Sequence, residues 1–218
     1  DVQAFLRSCL EEALLQPQKF DELVGSYDAP QGNAKFIEAI ASLLHNECGW
    51  PIGCENIAVT NGSQSSFFTL FNLFAGECPN GSPQRILLPL TPEYIGYGDI
   101  GLGQELFYSR RPNIKIRSQY EFKYHVDFDH LDIQEDTGAI CISRPTNPTG
   151  NVVTDEEILE LREIAVRRDV PLIIDGAYGA PFPNIIFTEV TPIWDLGVIV
   201  CLSLSKLGLP GVRTGIVV

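Results

Sequence analysis

Methionine is absent from this chain, tryptophan occurs twice, histidine three times, and positive charge is scarce. Lys and Arg total 15 against 28 Asp and Glu, a formal net charge of −13 over 218 residues. A surface this acidic repels a phosphate backbone, so no nucleic-acid partner is expected. No apolar run reaches the roughly 20 residues that a bilayer-crossing helix needs, so no membrane partner is expected. The histidines lack zinc-finger or helical metal spacing, and His125-Val-Asp127-Phe-Asp129-His130 reads as a solvated acidic loop, so no metal is expected. The cysteines, at 9, 48, 54, 78, 141 and 201, contain no Cys-x-x-Cys pair, and Cys141 and Cys201 lie inside apolar runs. They read as buried free thiols of a reducing compartment, which sets the expected location in the cytoplasm. No secretory leader is visible at Asp1. With no Met, and with a buried-strand signal at Gly215–Val218 where the sequence stops, the expectation is a fragment of a longer protein.

What is present is an ordinary globular share of apolar residues, 44%, arranged in alternating periods. Phe5, Leu6, Cys9, Leu10, Ala13 and Leu14 repeat at helical spacing until Pro17 discourages continuation. Residues 25–32 read as loop, and Phe36, Ile37, Ile40, Leu43 and Leu44 mark a second helix that ends before Gly49. Strands are expected at 57–60, 85–90 (with Pro89 weakening its second half), 139–143, 171–175, 198–202 and 214–218. Helices are expected at 64–75 and after the capping box Thr154-Asp-Glu-Glu157. Continuous apolar strands separated by helices predict a mostly parallel sheet buried on both faces, an α/β/α sandwich. Ligands of such sheets sit at the carboxyl ends of the strands, and the polar motifs of this sequence fall there.

Four motifs carry chemistry. Ser203-Leu-Ser205-Lys206, with Gly208, Pro210, Gly211 and Arg213 following, sets one lysine beside hydroxyls and a guanidinium fork. An amine nucleophile needs desolvation and polar help, and a phosphate needs hydroxyls, N–H groups and an arginine. That is the equipment for a Schiff-base lysine holding pyridoxal 5'-phosphate; the plain alternative is a surface turn. Thr60-Asn-Gly62-Ser63-Gln64-Ser65 opens a helix whose N–H groups can meet an anion, or Ser63 is only an N-cap. Ser143-Arg144-Pro145-Thr146-Asn147-Pro148-Thr149-Gly150 is a stiff turn that can fix the Asn147 amide, or is only a turn. Asp175-Gly-Ala-Tyr178 offers a carboxylate and a phenol to two points of one planar ring, or Asp175 only caps a turn.

Asp175-x-x-Tyr178 followed by Lys206, with Asn147-Pro-x-Gly150 upstream, resembles the fold-type I, pyridoxal 5'-phosphate-dependent aminotransferases of class I and II. The resemblance runs from about Tyr27 to Val218. It implies the large, cofactor-binding domain of that family, with a seven-stranded type of sheet, over residues 27–218 and incomplete. Residues 1–26 would be a helical segment of the small domain or a linker, and the C-terminal small domain would be missing. Tyr27-Asp-Ala-Pro-Gln-Gly, Pro92-Glu-Tyr94-Ile-Gly-Tyr97, Phe122-Lys-Tyr-His-Val-Asp-Phe and Ala180-Pro-Phe-Pro-Asn-Ile-Ile-Phe are similar to the branch that moves amino groups between valine and pyruvate.

The resemblance implies a role for each site residue. Lys206 forms the Schiff base and moves the substrate Cα proton, and Asp175 pairs with the pyridine nitrogen. Tyr178 and Asn147 bind the ring oxygen, Asn147 also reaching the substrate carboxylate, and Tyr94 stacks on the ring. Ser63, Gln64, Ser203, Ser205 and Arg213 hold the phosphate, and Tyr27 reaches the phosphate of the partner subunit of a homodimer. The implied activity is transamination between valine or alanine and pyruvate or 2-oxoisovalerate. This piece by itself would be inactive if the substrate arginine of the missing domain is required. A lyase on the same scaffold, or a non-catalytic cofactor-sensing domain of a transcription regulator, are the alternative functions.

Overall fold

The computed structural model describes residues 1–78 and 81–218. Two helices, α1 (Val2–Leu14) and α2 (Pro17–Gly25), open the chain and bury no residue of their own. Pro17, which the sequence offers as a stop, instead occupies the first turn of α2, where its missing N–H costs nothing and its fixed φ suits the helix. Helix α3 (Ala34–Cys48) is held at one end by the Asn33 side chain, which accepts from Phe36 N at 3.1 Å, and at the other by Gly49 at φ +67°.

The remaining elements alternate. In order they are β1 (Ala58–Thr60), α4 (Ser63–Phe74), β2 (Gly76–Glu77), β3 (Pro83–Leu88), β4 (Phe107–Ser109), β5 (Asn113–Ile116), β6 (Phe122–His125), β7 (Thr137–Ser143), α5 (Asp155–Arg168), β8 (Leu172–Asp175), β9 (Val198–Ser203) and β10 (Gly215–Val217). The capping box of α5 is formed as the sequence predicts: Glu157 N donates to Thr154 Oγ1, and Thr154 N to Glu157 Oε2. Strand β3 stops at Leu88, ahead of Pro89, which has no N–H to extend the ladder.

The main sheet runs β1-β10-β9-β8-β7-β3-β4, with short β2 also paired to β3; the β5–β6 hairpin stands apart. Strands β4, β3, β7, β8 and β9 are parallel. Strand β10 lies antiparallel between β9 and β1. The connection from β9, residues 204–214, contains only the one-turn helix Pro210–Val212 and returns as a short reversal rather than a helical crossover.

Burial follows the two-residue period of the strands. Ile140, Ile142, Leu172 and Ile174 pack with Ile37 and Leu44 of α3 and Ile158 and Leu161 of α5. Their strand neighbours Ala139, Cys141, Ile173 and Cys201 pack on the opposite face with Phe67, Leu70 and Phe71 of α4. Burying each large apolar side chain of α4 is worth about 1.5–3 kcal/mol, so this contact pins the start of α4 over the carboxyl ends of the parallel strands. All six cysteines are free, but only Cys141 and Cys201 are buried; Cys9 is exposed on α1, which buries no residue, and Cys54 in the one-turn helix Cys54–Asn56, which buries none either. Among the described residues no helix is long and apolar enough to cross a membrane.

Candidate active site

The same period carries three polar side chains to one face at one end of the sheet. Ser143 and Asp175 are register partners at the ends of β7 and β8, and Ser203 ends β9. Above them lies a cavity of about 280 Å³. Ser63 and Gln64 enter it from α4, Tyr94 from the turn after β3, and Asn147 from the turn after β7. Asp175 and Tyr178 enter after β8; Ser203, Ser205, Lys206 and Arg213 come from β9 and the turn that follows. Ten of the eleven residues selected from sequence therefore meet around one space. Tyr27 does not line it and is fully exposed.

The floor of the cavity is Asp175, 8% exposed. Its Oδ1 accepts from Ala177 N at 2.9 Å, so it does cap the turn, and its Oδ2 accepts from the Tyr97 hydroxyl at 2.6 Å. Burial pushes its carboxyl upward, and those two hydrogen bonds oppose the shift. One wall holds the cations. Lys206 Nζ stands 5.2 Å from the centre of the Tyr178 ring, and Arg213 donates to Ser205 Oγ at 3.3 Å. Among the described residues neither cation forms an ion pair.

The start of α4 closes the cationic end. Its N-cap is Gly62, not Ser63, and no side chain caps it. Gly62 has φ +85°, and a Cβ there would stand 2.3 Å from Arg213 Nη2. Gly215 likewise lets β10 press on this turn: its Cβ would lie 2.7 Å from Ser63 N. Gln64 Oε1 is buried without a hydrogen-bond partner among the described residues.

Sequence reasoning missed two residues here. Tyr97, which the sequence shows only as the end of the Pro92–Tyr97 motif, is 2% exposed and bonded to Asp175. Glu93 lies under the same floor: Ser143 N donates to its Oε1 at 2.8 Å and Ser143 Oγ to its Oε2 at 2.5 Å. Burial pushes Glu93 up to about 7, with the charge of Asp175 adding to the shift. A carboxylate between Pro92 and Tyr94 inside a turn was the only available signal. Arg144 is turned away from the cavity, held by Val153 O, Thr191 O and Asp155. A wider groove of about 590 Å³ between the β5–β6 hairpin and the start of α5 contains none of the selected residues. His125 lies against Glu157 and His130 against Asp127, and neither pair reaches the cavity.

Residues 9–218 match the family described as Aminotransferase class I and II. The chain is 52% identical over all its 218 residues to valine–pyruvate aminotransferase of Escherichia coli, covering 52% of that protein. It superposes with a TM-score of 0.87 on the crystal structure of valine–pyruvate aminotransferase from Salmonella typhimurium, at 52% identity, covering 100% of this chain and 53% of that one. Alanine aminotransferase from Pyrococcus furiosus shares the fold, with a TM-score of 0.74 at 21% identity over 95% of this chain and 50% of that one. The chain thus spans about half the length of the relatives it matches. With the motifs, the sheet and the match in agreement, the chain belongs to the class I and II aminotransferases, a pyridoxal 5'-phosphate-dependent family of fold type I.

Proposed function

We propose that the whole protein transfers an amino group between a small aliphatic L-amino acid, valine or alanine, and a 2-oxo acid, pyruvate or 2-oxoisovalerate. The observation that carries this reading is a pair of cations, Lys206 and Arg213, without an ion-pair partner among the described residues, lining one cavity with a buried carboxylate, Asp175. The residues fit pyridoxal 5'-phosphate by their chemistry. An amine, an acceptor for a ring nitrogen, and an uncapped helix start beside a guanidinium match its aldehyde, ring and phosphate. The unpartnered Gln64 amide oxygen and the tight Gly62 turn mark that end as built for a ligand.

Bound here, the cofactor supplies an electron sink for charge that develops at the substrate Cα. Lys206 anchors it and then holds and moves the Cα proton. Asp175 keeps a proton on the ring nitrogen; its own hydrogen bonds from Tyr97 and Ala177 fix its orientation. Tyr178 and Asn147 orient the ring oxygen, Asn147 also the substrate carboxylate, and Tyr94 packs on the ring face. Ser63, Gln64, Ser203, Ser205 and Arg213 hold the phosphate.

Substrate size follows from the cations. Arg213 is committed to phosphate and Arg144 to Asp155, so among the described cavity residues none is left for a side-chain carboxylate. Burying an unpaired carboxylate is costly, while Phe67 and Tyr94 offer apolar surface. The relatives named for valine and pyruvate support the same class.

We place residues 27–218 in the cofactor-binding domain and residues 1–26 in the small domain or a linker. The exposure of α1 and α2 supports that division. We also infer a homodimer in which exposed Tyr27 reaches the partner's phosphate site, and a cytoplasmic enzyme, in keeping with its free thiols. The test is a half-reaction scan of the full-length protein. Amino acids are added singly and the cofactor's visible absorbance is followed. Valine and alanine should change it most, and preference for aspartate or glutamate in kcat/KM overturns the substrate reading.

A further inference from the structure

Four oxygens form a line beneath the cavity. Glu93 Oε2 and Ser143 Oγ are 2.5 Å apart, Ser143 Oγ and Tyr97 Oη 3.1 Å, and Tyr97 Oη and Asp175 Oδ2 2.6 Å. Three contacts need three hydrogens. Ser143 and Tyr97 supply one each. With both carboxyls ionised, Ser143 donates to Glu93 and Tyr97 to Asp175, and two hydroxyl oxygens face each other with nothing between. All four residues are buried or nearly so, and an unmade hydrogen bond is expensive there. A third hydrogen completes the line, and only a carboxyl can carry it.

We propose that Glu93 and Asp175 share one proton through Ser143 and Tyr97, and that Glu93 is the positioning residue that stores this proton so that Asp175 faces the cofactor ring as a carboxylate. The role toward the ring rests on the cofactor reading above. In one state Glu93 donates to Ser143, Ser143 to Tyr97, and Tyr97 to ionised Asp175. In the other, Asp175 donates to Tyr97, Tyr97 to Ser143, and Ser143 to ionised Glu93. Passage from the second to the first moves one proton net from Asp175 Oδ2 to Glu93 Oε2. Each hydroxyl gives up its own hydrogen and accepts its neighbour's; no electron is transferred.

The surroundings favour one proton on the pair. Burial raises both carboxyls, and the charge of Asp175 adds to the rise at Glu93. The titratable groups facing them are Cys141 on β7 and Cys201 on β9, both held as neutral thiols by burial, and the Tyr97 phenol, pushed well above its ordinary value. Lys206, Arg213 and the phenols of Tyr94 and Tyr178 line the cavity on the side of Asp175. Asp175 lines the cavity with these cations and Glu93 does not; an opposite charge favours the ionised form of a carboxyl that faces it, which assigns the proton to Glu93 beneath Ser143.

The experiment uses the full-length protein with and without pyridoxal 5'-phosphate. Infrared spectra of the cofactor-free protein should show a protonated-carboxyl band that fades as the pH rises through about 7, and Glu93→Gln should lose it. Absence of the band from the unaltered protein, a measurement that needs no variant to fold, overturns the proposal, as does its survival in Glu93→Gln. With cofactor labelled by ¹⁵N in the ring, the nitrogen's chemical shift should follow Glu93 titration in the unaltered protein. It should lose that dependence in Tyr97→Phe, which cuts the line, and in Glu93→Gln, which cannot release the proton. Identical ring titrations in all three, with the cofactor reductively fixed on Lys206, overturn the proton line alone. A Glu93 band present in a protein that never fixes cofactor on Lys206 overturns the cofactor reading and leaves the proton sharing supported.

Discussion

Tyr97 Oη lies 2.6 Å from Asp175 Oδ2, while Ala177 N donates to the other oxygen at 2.9 Å, so the carboxylate is held from two sides before any ligand arrives. Such an oriented charge acts without reorganising during reaction. In the full-length protein, Asp175→Ala should lower the turnover rate by on the order of 10² or more while leaving cofactor bound. Stopped-flow half-reactions measure this, and near-unaltered turnover contradicts the role given to Asp175.

Lys206 is the amine that lines the cavity. Borohydride reduction of the cofactor-loaded protein, then peptide mapping, should find the pyridoxyl group on Lys206. A label on another lysine removes that assignment.

Gly62 should tolerate no side chain. A Cβ at φ +85° adds about 1–3 kcal/mol of backbone strain and meets Arg213 Nη2 at 2.3 Å. Gly62→Ala should weaken cofactor binding by roughly tenfold or more, since each 1.4 kcal/mol is a factor of ten. Equilibrium dialysis against pyridoxal 5'-phosphate reads this directly, and unchanged affinity means the guanidinium is not positioned by that turn.

Stability of the cofactor-free protein should depend on pH through Glu93. Its folded value, about 7, lies above its ordinary 4.5, so the folded state binds more protons between the two. The linkage slope is then negative: this contribution is full below about 4.5 and is lost as the pH rises through about 7. Denaturant midpoints across that window should fall less steeply with rising pH in Glu93→Gln than in the unaltered protein.

The proposed reach of Tyr27 into the partner's site predicts complementation. Full-length Tyr27→Phe and Lys206→Ala chains, mixed under proven subunit exchange, should recover activity through hybrids with one unaltered site. Activity no higher than that of the separate variants rules out the exchange of Tyr27 between subunits.

Much of this was legible in the sequence because the polar motifs interrupt apolar strands. Ser143, Asp175 and Ser203 stand where runs such as Leu172–Ile174 end, and the parallel-sheet rule then gathers them. The direction of β10 was not legible, since Gly215–Val217 has the same composition either way round; the short connection decided it. Strands β4, β5 and β6 escaped notice because they are short, and the hairpin strands lie largely on the surface. Pro17 points in sequence to a helix stop, because its neighbours do not distinguish a helix interior from the first turn of α2. The link from Glu93 to Asp175 spans contacts 46, 50 and 78 residues apart in sequence, and no local pattern records it.

Strand β10 threads between β9 and β1, and Gly215 presses on the turn before α4. The cationic end of the cavity is thereby stitched from a turn made early in synthesis and a strand made much later. Chains emerge from the ribosome amino end first, and contacts of such long sequence separation form slowly. The start of α4 must wait for Arg213 and β10 before it can grip anything. On the proposed reading, cofactor uptake would then be a timestamp for the nascent protein, recording the moment the sheet is zipped shut.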